Sequence, residues 1–287
     1  MRDRQTEAMH YGLTQFPTDY SIQPGELARA AEERGIESLW FAEHTHIPSS
    51  RLSPWPGGAE LPKMYYDTYD PLIALTAAAS ATSKLKVGTG ISLVIQHDPI
   101  TLAKALASLD QISSGRVLFG VGGGWNKEEI ENHGVPFERR FKILRERVEA
   151  IKAIWTQEKA SYEGEFVNFD SIFSFPKPVQ KPHPPIHVGG AAPHALKRVV
   201  RYGDGWIPIL GRGSGALPEQ IAEMRSMARE AGRDADAIEV TIYGCPAKAD
   251  KIKEFEDMGV ARVTFFVPSE PSEKVMPLLD RYATLVG

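Results

Sequence analysis

The sequence predicts an α/β fold, a (β/α)8 barrel, from two observations. Short apolar stretches typical of strands alternate with helical stretches along the 287 residues, which indicates βαβ units and a parallel sheet. Eight such units in a chain of this length fit a barrel, whose usual size is about 250 residues. An open doubly wound sheet usually has fewer strands and often a glycine fingerprint in its first βα turn. Here that turn reads QFPTDYSIQPG, without the fingerprint.

The predicted elements have local signals at their ends. Pro24 starts the first helix and Gly35 follows its last turn, which is the usual placement of proline and glycine at helix termini. The predicted strands are residues 11–16, 36–44, 85–91, 116–124, 186–190, 204–209, 238–244 and 261–267. The predicted helices are residues 24–34, 70–82, 99–113, 137–155, 193–202, 218–231, 248–258 and 273–282, with a short hairpin at 161–175.

Helix 137–155 is predicted to bury one face and to expose the other. Phe141 and Trp155 lie in an apolar stripe with helical period, which we assign to the core. We interpret the charged run ERRFKILRERVEAIK, which includes Glu146, as a solvated helix face.

The composition excludes several classes of protein. Lys and Arg number 33 against 37 Asp and Glu, so the chain lacks the basic surface of a nucleic-acid-binding protein. Cys245 is the only cysteine, which rules out an intrachain disulfide. No apolar run approaches the roughly 18 residues of a membrane span, and the N-terminus lacks the apolar stretch of a signal peptide. We therefore expect a cytoplasmic protein with a disordered or artificial lead, residues 1–8, and a single barrel domain, residues 9–287.

In barrels of this type the active site lies at the carboxyl ends of the strands. Glu43, His44 and His46 follow the second predicted strand, where they could serve acid–base chemistry or hydrogen-bond a cofactor. A metal site built on the two histidines is an alternative. A metal needs three or four ligands, and the other strand ends offer glycines or apolar residues. We therefore expect no metal.

Glycines crowd the ends of the third and fourth predicted strands. Gly88 and Gly90 indicate either close approach of a cofactor or a tight bend of the barrel. In the run GVGGGWNKEE, bare backbone would let a flat or charged ligand approach. Trp125 stands where a dinucleotide fingerprint would place its third glycine, so that motif is absent. The glycines of this run are Gly120, Gly122, Gly123 and Gly124.

Two further strand ends offer groups for an anion. Gly189 and Gly190 precede a helix that starts near Pro193, and free N–H groups at a helix N-terminus favour negative charge. After the sixth strand, Arg212 lies between glycines, either as a mobile cation for a phosphate or in an ordinary flexible loop.

These segments together resemble the luciferase-like monooxygenase superfamily and, within it, the actinobacterial type of F420-dependent oxidoreductase. F420 is the 8-hydroxy-5-deazaflavin coenzyme. The resemblance covers most of residues 9–207. It is carried by AAEERGIESLWFAEHTHIP, DPLIALTAAASATSKLKVGTGI, DPITLAKALASLDQISSGRVLFGVGGGWNKEE, GVPFERR and PKPVQKPHPPIHVGGAAPHALKRVVRYGDGWIP.

The resemblance implies a flavin or deazaflavin that lies across the strand ends. Gly90 and Ile91 would form a non-prolyl cis peptide that supports the central ring. The glycine run would border the ring, and the cofactor phosphate or lower side chain would lie at the next two strand ends. The residues concerned are Gly122, Gly123, Gly124 and Trp125 for the ring, and Gly189, Gly190, Ala191 and Arg212 for the phosphate.

The resemblance also implies roles for the residues after the second strand. His44 matches the histidine that faces the reactive carbon in the family's sugar-phosphate dehydrogenases, and Glu43 stands where an acidic residue contacts the cofactor. Trp125 replaces the acidic residue that follows the glycine run in those enzymes, so we expect a different substrate. No further lysine or arginine is evident for a substrate phosphate.

A segment inserted over the pocket is a further implication, which we assign to the hairpin region 157–182, and a homodimer is another. Segment 45–69, rich in proline and aromatic residues, is predicted to roof the substrate pocket. The predicted pocket residues are His46, Tyr65, Tyr66 and Tyr69.

We expect hydride transfer between F420 and a small organic substrate, with His44 as proton donor or acceptor. The alternative is an FMN-dependent monooxygenase that uses O2 and a separate reductase. Two other possibilities are a cofactor-binding protein without turnover and a metal-dependent barrel hydrolase.

Overall fold

Eight parallel strands close into a barrel in the computed structural model, which describes residues 8–58, 60–211 and 215–286. The barrel strands are β1 (His10–Gln15), β2 (Ser38–Phe41), β3 (Lys86–Thr89), β4 (Val117–Val121), β7 (Ile186–Gly189), β8 (Gly205–Ile207), β9 (Glu239–Ile242) and β10 (Arg262–Phe266). They follow one another in chain order around the barrel, and β10 pairs back with β1. The predicted barrel is confirmed. Two further strands, β5 (Ala160–Glu163) and β6 (Asn168–Ile172), form an antiparallel hairpin outside the barrel.

Helices surround the barrel, and two of them begin at an Asp-Pro pair. The Asp70 carboxylate accepts hydrogen bonds from two backbone N–H groups of the helix it caps, and Asp98 caps the next long helix through Thr101 N at 2.8 Å. No helix of the described ranges is long and apolar enough to cross a membrane. The helices are α1 (Pro24–Glu33), α2 (Met64–Asp67), α3 (Pro71–Ser80), α4 (Pro99–Ile112), α5 (Lys127–Asn132), α6 (Arg140–Thr156), α7 (His194–Tyr202), α8 (Leu217–Glu230), α9 (Ala249–Asp257) and α10 (Ser272–Val286).

Each predicted strand and helix is present, and the differences lie in the loops. Two short helices, α2 and α5, occupy segments that carry no predicted helix. Asn126 caps α5, because its side-chain oxygen accepts a hydrogen bond from Glu129 N at 3.3 Å. Residues 1–7 of the predicted lead lie outside the described residues.

The assignment of region 157–182 to a cover over the pocket is wrong. The hairpin instead packs against α6, where the buried Glu146 carboxylate accepts hydrogen bonds from Phe166 N at 2.7 Å and Val167 N at 3.2 Å. Lys177 Nζ donates to the carbonyl of Ile154 near the other end of α6, at 2.6 Å. The prediction of a solvated face at Glu146 is therefore wrong too.

The amino ends of the strands, here called the barrel floor, hold a buried charge network. The fully buried Arg262 donates two hydrogen bonds of 2.9 Å to the Glu37 carboxylate and one of 2.8 Å to Glu239. Burial alone would raise the pKa of Glu37, but the Arg262 guanidinium outweighs it and lowers that pKa to about 2. Burial lowers the pKa of His187 to about 4, so its imidazole is neutral at pH 7.

Trp40 separates this floor from the opposite end of the barrel. Its ring lies 5.5 Å from the His187 ring and 5.8 Å from the Arg262 guanidinium. On the other side, Ile91 and Tyr243 pack against the small cluster that contains Trp40. A Cβ atom at Gly88 would lie 2.6 Å from Trp40, so Gly88 makes room for this indole.

We predict that Glu37→Gln lowers the free energy of unfolding by about 3 kcal/mol at neutral pH, because buried Arg262 loses one of its two carboxylates. Folding lowers the Glu37 pKa from 4.5 to about 2, so its stabilisation is complete above pH 4.5 and is lost as the pH falls through 2. Urea unfolding at a series of acidic pH values should show a flatter pH dependence for the variant.

Asp257→Asn on α9 is the matched control. Asp257 pairs with Lys253 at 2.7 Å on an exposed surface, where ion pairs contribute little. This variant should unfold like the wild type at every pH. If Glu37→Gln had the same free energy of unfolding as the wild type at neutral pH, the assigned role of the floor network would be wrong.

Candidate functional site

The carboxyl ends of the strands form the barrel mouth, and its β3 side carries the expected cis peptide. The Gly90–Ile91 peptide is cis and non-prolyl. The Ile91 side chain fills the space that side chains at Gly122 and Gly189 would take, since a Cβ atom at either glycine would contact Ile91. The two glycines therefore bring strands β4 and β7 against Ile91. Their roles toward a cofactor stay predictions.

Tyr243 faces this peptide from the end of β9. A Cβ atom at Gly90 would lie 2.5 Å from the Tyr243 hydroxyl oxygen. That oxygen is buried, and although the Thr14 side chain lies close to it, no hydrogen bond of standard geometry joins it to a described residue. An unpartnered hydroxyl is costly in a buried place, so this atom indicates a binding position for a polar ligand or a water molecule.

Glu43 holds the segment that follows the cis peptide. One carboxylate oxygen accepts hydrogen bonds from Ser92 Oγ, at 2.9 Å, and from Leu93 N, while the other lies 2.6 Å from His97 Nε2. Burial would lower the pKa of His97, but the hydrogen bond and charge of Glu43 outweigh it, so that pKa is raised. Both Glu43 oxygens are engaged by protein, so this carboxylate positions the segment after the cis peptide. Its contact with a cofactor stays a prediction.

His44 is paired with a carboxylate that the sequence analysis did not find. Glu129 Oε2 lies 2.8 Å from His44 Nδ1, and Glu129 Oε1 accepts a hydrogen bond from Thr45 N at 3.2 Å. Both side chains are buried, with 7% and 1% of their surface exposed. A carboxylate on Nδ1 favours the proton there, which leaves Nε2 without a hydrogen bond to a described residue. His44 thus has an oriented ring with one nitrogen available for chemistry.

Aromatic rings surround His44, with Tyr65 at their centre. The Tyr65 ring lies 5.2 Å from His44, 4.5 Å from Phe16 and 5.7 Å from Trp55, and Trp125 lies 5.9 Å from His44 on another side. Trp55 and Tyr65, both from the segment predicted as the roof, therefore lie on this part of the mouth. That they cover a substrate pocket stays a prediction.

The other predicted pocket residues are not brought to His44. Tyr66 is half exposed, and Tyr69 packs against the main core while its N–H donates to the Pro17 carbonyl. The His46 ring hydrogen-bonds Asn132 and lies 5.6 Å from the His133 ring, at the far end of α5. In the described ranges, no three His, Cys, Asp or Glu side chains are grouped so that they could hold a metal.

The glycine run after β4 lies at the mouth and also packs closely against protein side chains. A Cβ atom at Gly123 would lie 2.6 Å from the Phe141 ring, and Gly124 has a φ of +65°, which favours glycine. Phe141 is 37% exposed, so its assignment to the core is wrong, whereas Trp155 is buried as predicted. Trp125 borders the mouth beside His44.

Two arginines lie at the predicted phosphate end. A Cβ atom at Gly190, whose φ is +143°, would lie 3.0 Å from Arg198 Nη2. The Arg198 and Arg140 guanidinium carbons lie 4.2 Å and 4.4 Å from the centre of the Phe141 ring. Ala191, which follows Gly190, is partly exposed. The predicted Arg212 lies outside the described residues.

Sequence reasoning missed Glu129, Arg140 and Arg198. Glu129 follows Asn126 by three residues, a spacing typical of a helix cap, so the sequence offers no signal for a contact with His44. The two arginines lie in charged helical stretches that predict solvated faces. Their convergence on one phenylalanine depends on the packing of α6 against α7.

Several curated relatives align with most of this chain. An uncharacterized protein of Mycobacterium tuberculosis (strain ATCC 25618 / H37Rv) is 41% identical over 96% of this chain and 98% of its own length. The F420-dependent glucose-6-phosphate dehydrogenase of Kineococcus radiotolerans is 31% identical over 76% of this chain and 63% of its own. The FMNH(2)-dependent dimethylsulfone monooxygenase of Pseudomonas putida is 35% identical over 54% and 43%.

Solved structures share the fold. The crystal structure of monooxygenase RslO1 from Streptomyces bottropensis aligns with a TM-score of 0.76 at 22% identity, covering 97% of this chain and 98% of that one. The sequence profile of the luciferase-like monooxygenase family matches residues 17–275. The barrel, the order of its elements and this match over most of the sequence agree, and the chain belongs to the luciferase-like monooxygenase family.

Proposed function

We propose that this protein is an oxidoreductase that transfers a hydride between F420 and a small organic substrate. The observation that carries the proposal is the buried His44–Glu129 pair, which leaves His44 Nε2 available at the barrel mouth. The Kineococcus radiotolerans relative, at 31% identity, is named as an F420-dependent dehydrogenase, which supports F420 as the cofactor.

The residues at the mouth fit such a cofactor. The Tyr243 hydroxyl and the Asn126 side-chain nitrogen are buried without hydrogen-bond partners among the described residues. The Nε atoms of Arg140 and Arg198 are unpartnered in the same way, at the end where a phosphate is expected. A polar, anionic cofactor would satisfy both sets of groups.

We assign holding roles by position. The Gly90–Ile91 peptide, the glycine run after β4 and Trp125 would lie against the ring system. Gly189, Gly190 and Ala191 would take the phosphate, and the two arginines lie next to this segment. When bound, F420 supplies hydride chemistry at the ring carbon that replaces the flavin N5.

The protein supplies the proton and excludes water. His44 gives a proton to the substrate, or takes one from it, at Nε2. The Glu129 carboxylate keeps the ring oriented through Nδ1 and stabilises the charged imidazolium that forms when Nε2 accepts a proton. Phe16, Tyr65 and Trp125 form an apolar surrounding that limits access of water to this nitrogen.

A second candidate is an FMN-dependent monooxygenase that uses O2 and a separate reductase. The relative from Pseudomonas putida, at 35% identity over about half of this chain, favours it. FMN carries a phosphate too, so the arginines alone do not distinguish the two cofactors.

The first prediction concerns the cofactor. The protein should bind F420 at least about tenfold more tightly than FMN, a difference of about 1.4 kcal/mol. Fluorescence titration of the apo-protein with each cofactor in one buffer measures this ratio. Tighter binding of FMN would contradict the F420 proposal and would direct the search to oxygen consumption and a partner reductase.

The second prediction concerns His44 and Glu129. With a substrate found by screening, His44→Ala should lower kcat about 10²- to 10⁴-fold, because it removes the proton donor or acceptor. Glu129→Gln should lower kcat less, since the ring remains but loses its negatively charged partner. The Kd for F420 should change only a few-fold in both.

Glu131→Gln, on the same short helix, is the matched control because Glu131 is solvent-exposed and pairs with Lys127. It should leave kcat and Kd unchanged. Wild-type kcat in His44→Ala would remove His44 from the mechanism, and a loss in Glu131→Gln as large as in Glu129→Gln would remove the specific role of Glu129.

A further inference from the structure

Arg140 at the start of α6 and Arg198 in α7 converge on the ring of Phe141. Their guanidinium carbons lie 4.4 Å and 4.2 Å from the ring centre, within the range of a cation–π contact. Arg140 also lies 3.7 Å from the centre of the Phe137 ring. The rings thus hold two planar cations at the β4 and β7 side of the mouth.

Neither cation forms an ion pair with a described carboxylate, although the charge of Glu138 acts on Arg140 from a longer distance. Arg140 donates one hydrogen bond, from Nη1 to the Phe137 carbonyl at 2.9 Å, and Arg198 makes no hydrogen bond to a described residue. No described carboxylate lies within 4 Å of either guanidinium, whereas Arg145 and Arg201 on the same two helices each pair with Glu149. Both Nε atoms are buried without a partner.

Such a pair is unfavourable without an anion. Burial lowers the pKa of both arginines, and for Arg140 the neighbouring charge of Arg198 lowers it further. The guanidinium fork matches carboxylate and phosphate oxygens and can donate two parallel hydrogen bonds to one group. The two guanidinium groups can therefore bind two separate anionic groups, or two oxygens of a single anionic group.

The location connects the pair with the phosphate end of the proposed cofactor site. Arg198 Nη2 approaches the backbone of Gly190, and the Phe141 ring approaches that of Gly123. Arg198 follows Gly190 by eight residues on the helix that starts behind it, so the cation lies next to the segment 189–191.

We propose that Arg140 and Arg198 form an anion subsite for a flexible chain with more than one negative group, beyond the phosphate that segment 189–191 would take. The inference rests on the proposed function. The tail of F420, a phosphodiester followed by carboxylates, has this chemistry, and FMN has a single terminal phosphate. The subsite would thus make the tail a determinant of cofactor choice.

The test compares tail-bearing and tail-free ligands. Fluorescence titrations of wild type, Arg140→Gln and Arg198→Gln use F420, the tail-free 8-hydroxy-5-deazaflavin and FMN, at low and high salt. Each variant should bind F420 at least about tenfold more weakly, as expected for loss of a charge-assisted hydrogen bond. Affinity for the tail-free ring should not change. The salt dependence of F420 binding should decrease in both variants.

Two further variants serve as controls. Arg201→Gln, one turn along α7 and paired with Glu149, should bind F420 like the wild type. Arg198→Lys keeps the charge without the fork and should retain part of the lost affinity. Thermal unfolding of every variant verifies that the barrel remains folded.

The outcomes separate this inference from the proposed function. Wild-type F420 affinity in both glutamine variants, or equal losses for F420 and the tail-free ring, would overturn the subsite. Wild-type protein that binds FMN and not F420 would overturn the proposed cofactor. If the variants then lost affinity for FMN alone, the two arginines would form a site for a single phosphate. That result would overturn the proposed subsite for a multiply charged tail.

Discussion

The buried Glu43 carboxylate is the interaction on which the barrel mouth depends. It extends from the end of β2 and holds Ser92 and Leu93 in the segment after β3. Ile91, the residue before Ser92, fills the space left by glycines of β4 and β7. One carboxylate thus sets the relative position of four neighbouring strand ends. His97 Nε2 lies 2.6 Å from the other Glu43 oxygen, and this carboxylate raises the pKa of the histidine.

Charge is divided between the two ends of the barrel, with Trp40 between them. At the floor, Arg262 is matched by Glu37 and Glu239, so these charges serve stability. At the mouth, the Glu129 carboxylate lies beside His44. The guanidinium groups of Arg140 on α6 and Arg198 on α7, which have no carboxylate partner among the described residues, lie elsewhere on the rim. Proton transfer and anion binding would therefore use different elements of one scaffold, and each could be altered without disturbing the other.

The sequence predicts the barrel well because its signals are local. Asp70 and Asp98, each followed by proline, mark helix starts, and glycines mark the strand ends that form the mouth. The partners of His44, Phe141 and the hairpin could not be predicted, because they depend on which face of a charged helix is covered. Glu146 illustrates the limit: it lies in a run typical of a solvated face, and the hairpin buries it.

Trp125 stands where the resemblance to the sugar-phosphate dehydrogenases implies an acidic residue, and in this chain the carboxylate beside His44 is that of Glu129. Glu129 lies four residues further on, one helical turn into α5, and its carboxylate reaches His44 from there. His44 thus has a carboxylate partner while the Trp125 ring borders the same pocket. Tyr65 and Phe16 continue this aromatic wall on the side of β1 and segment 45–69. Under the proposed function such a wall would disfavour an anionic group of the substrate, since an anion placed against it would lose its hydration without gaining a partner.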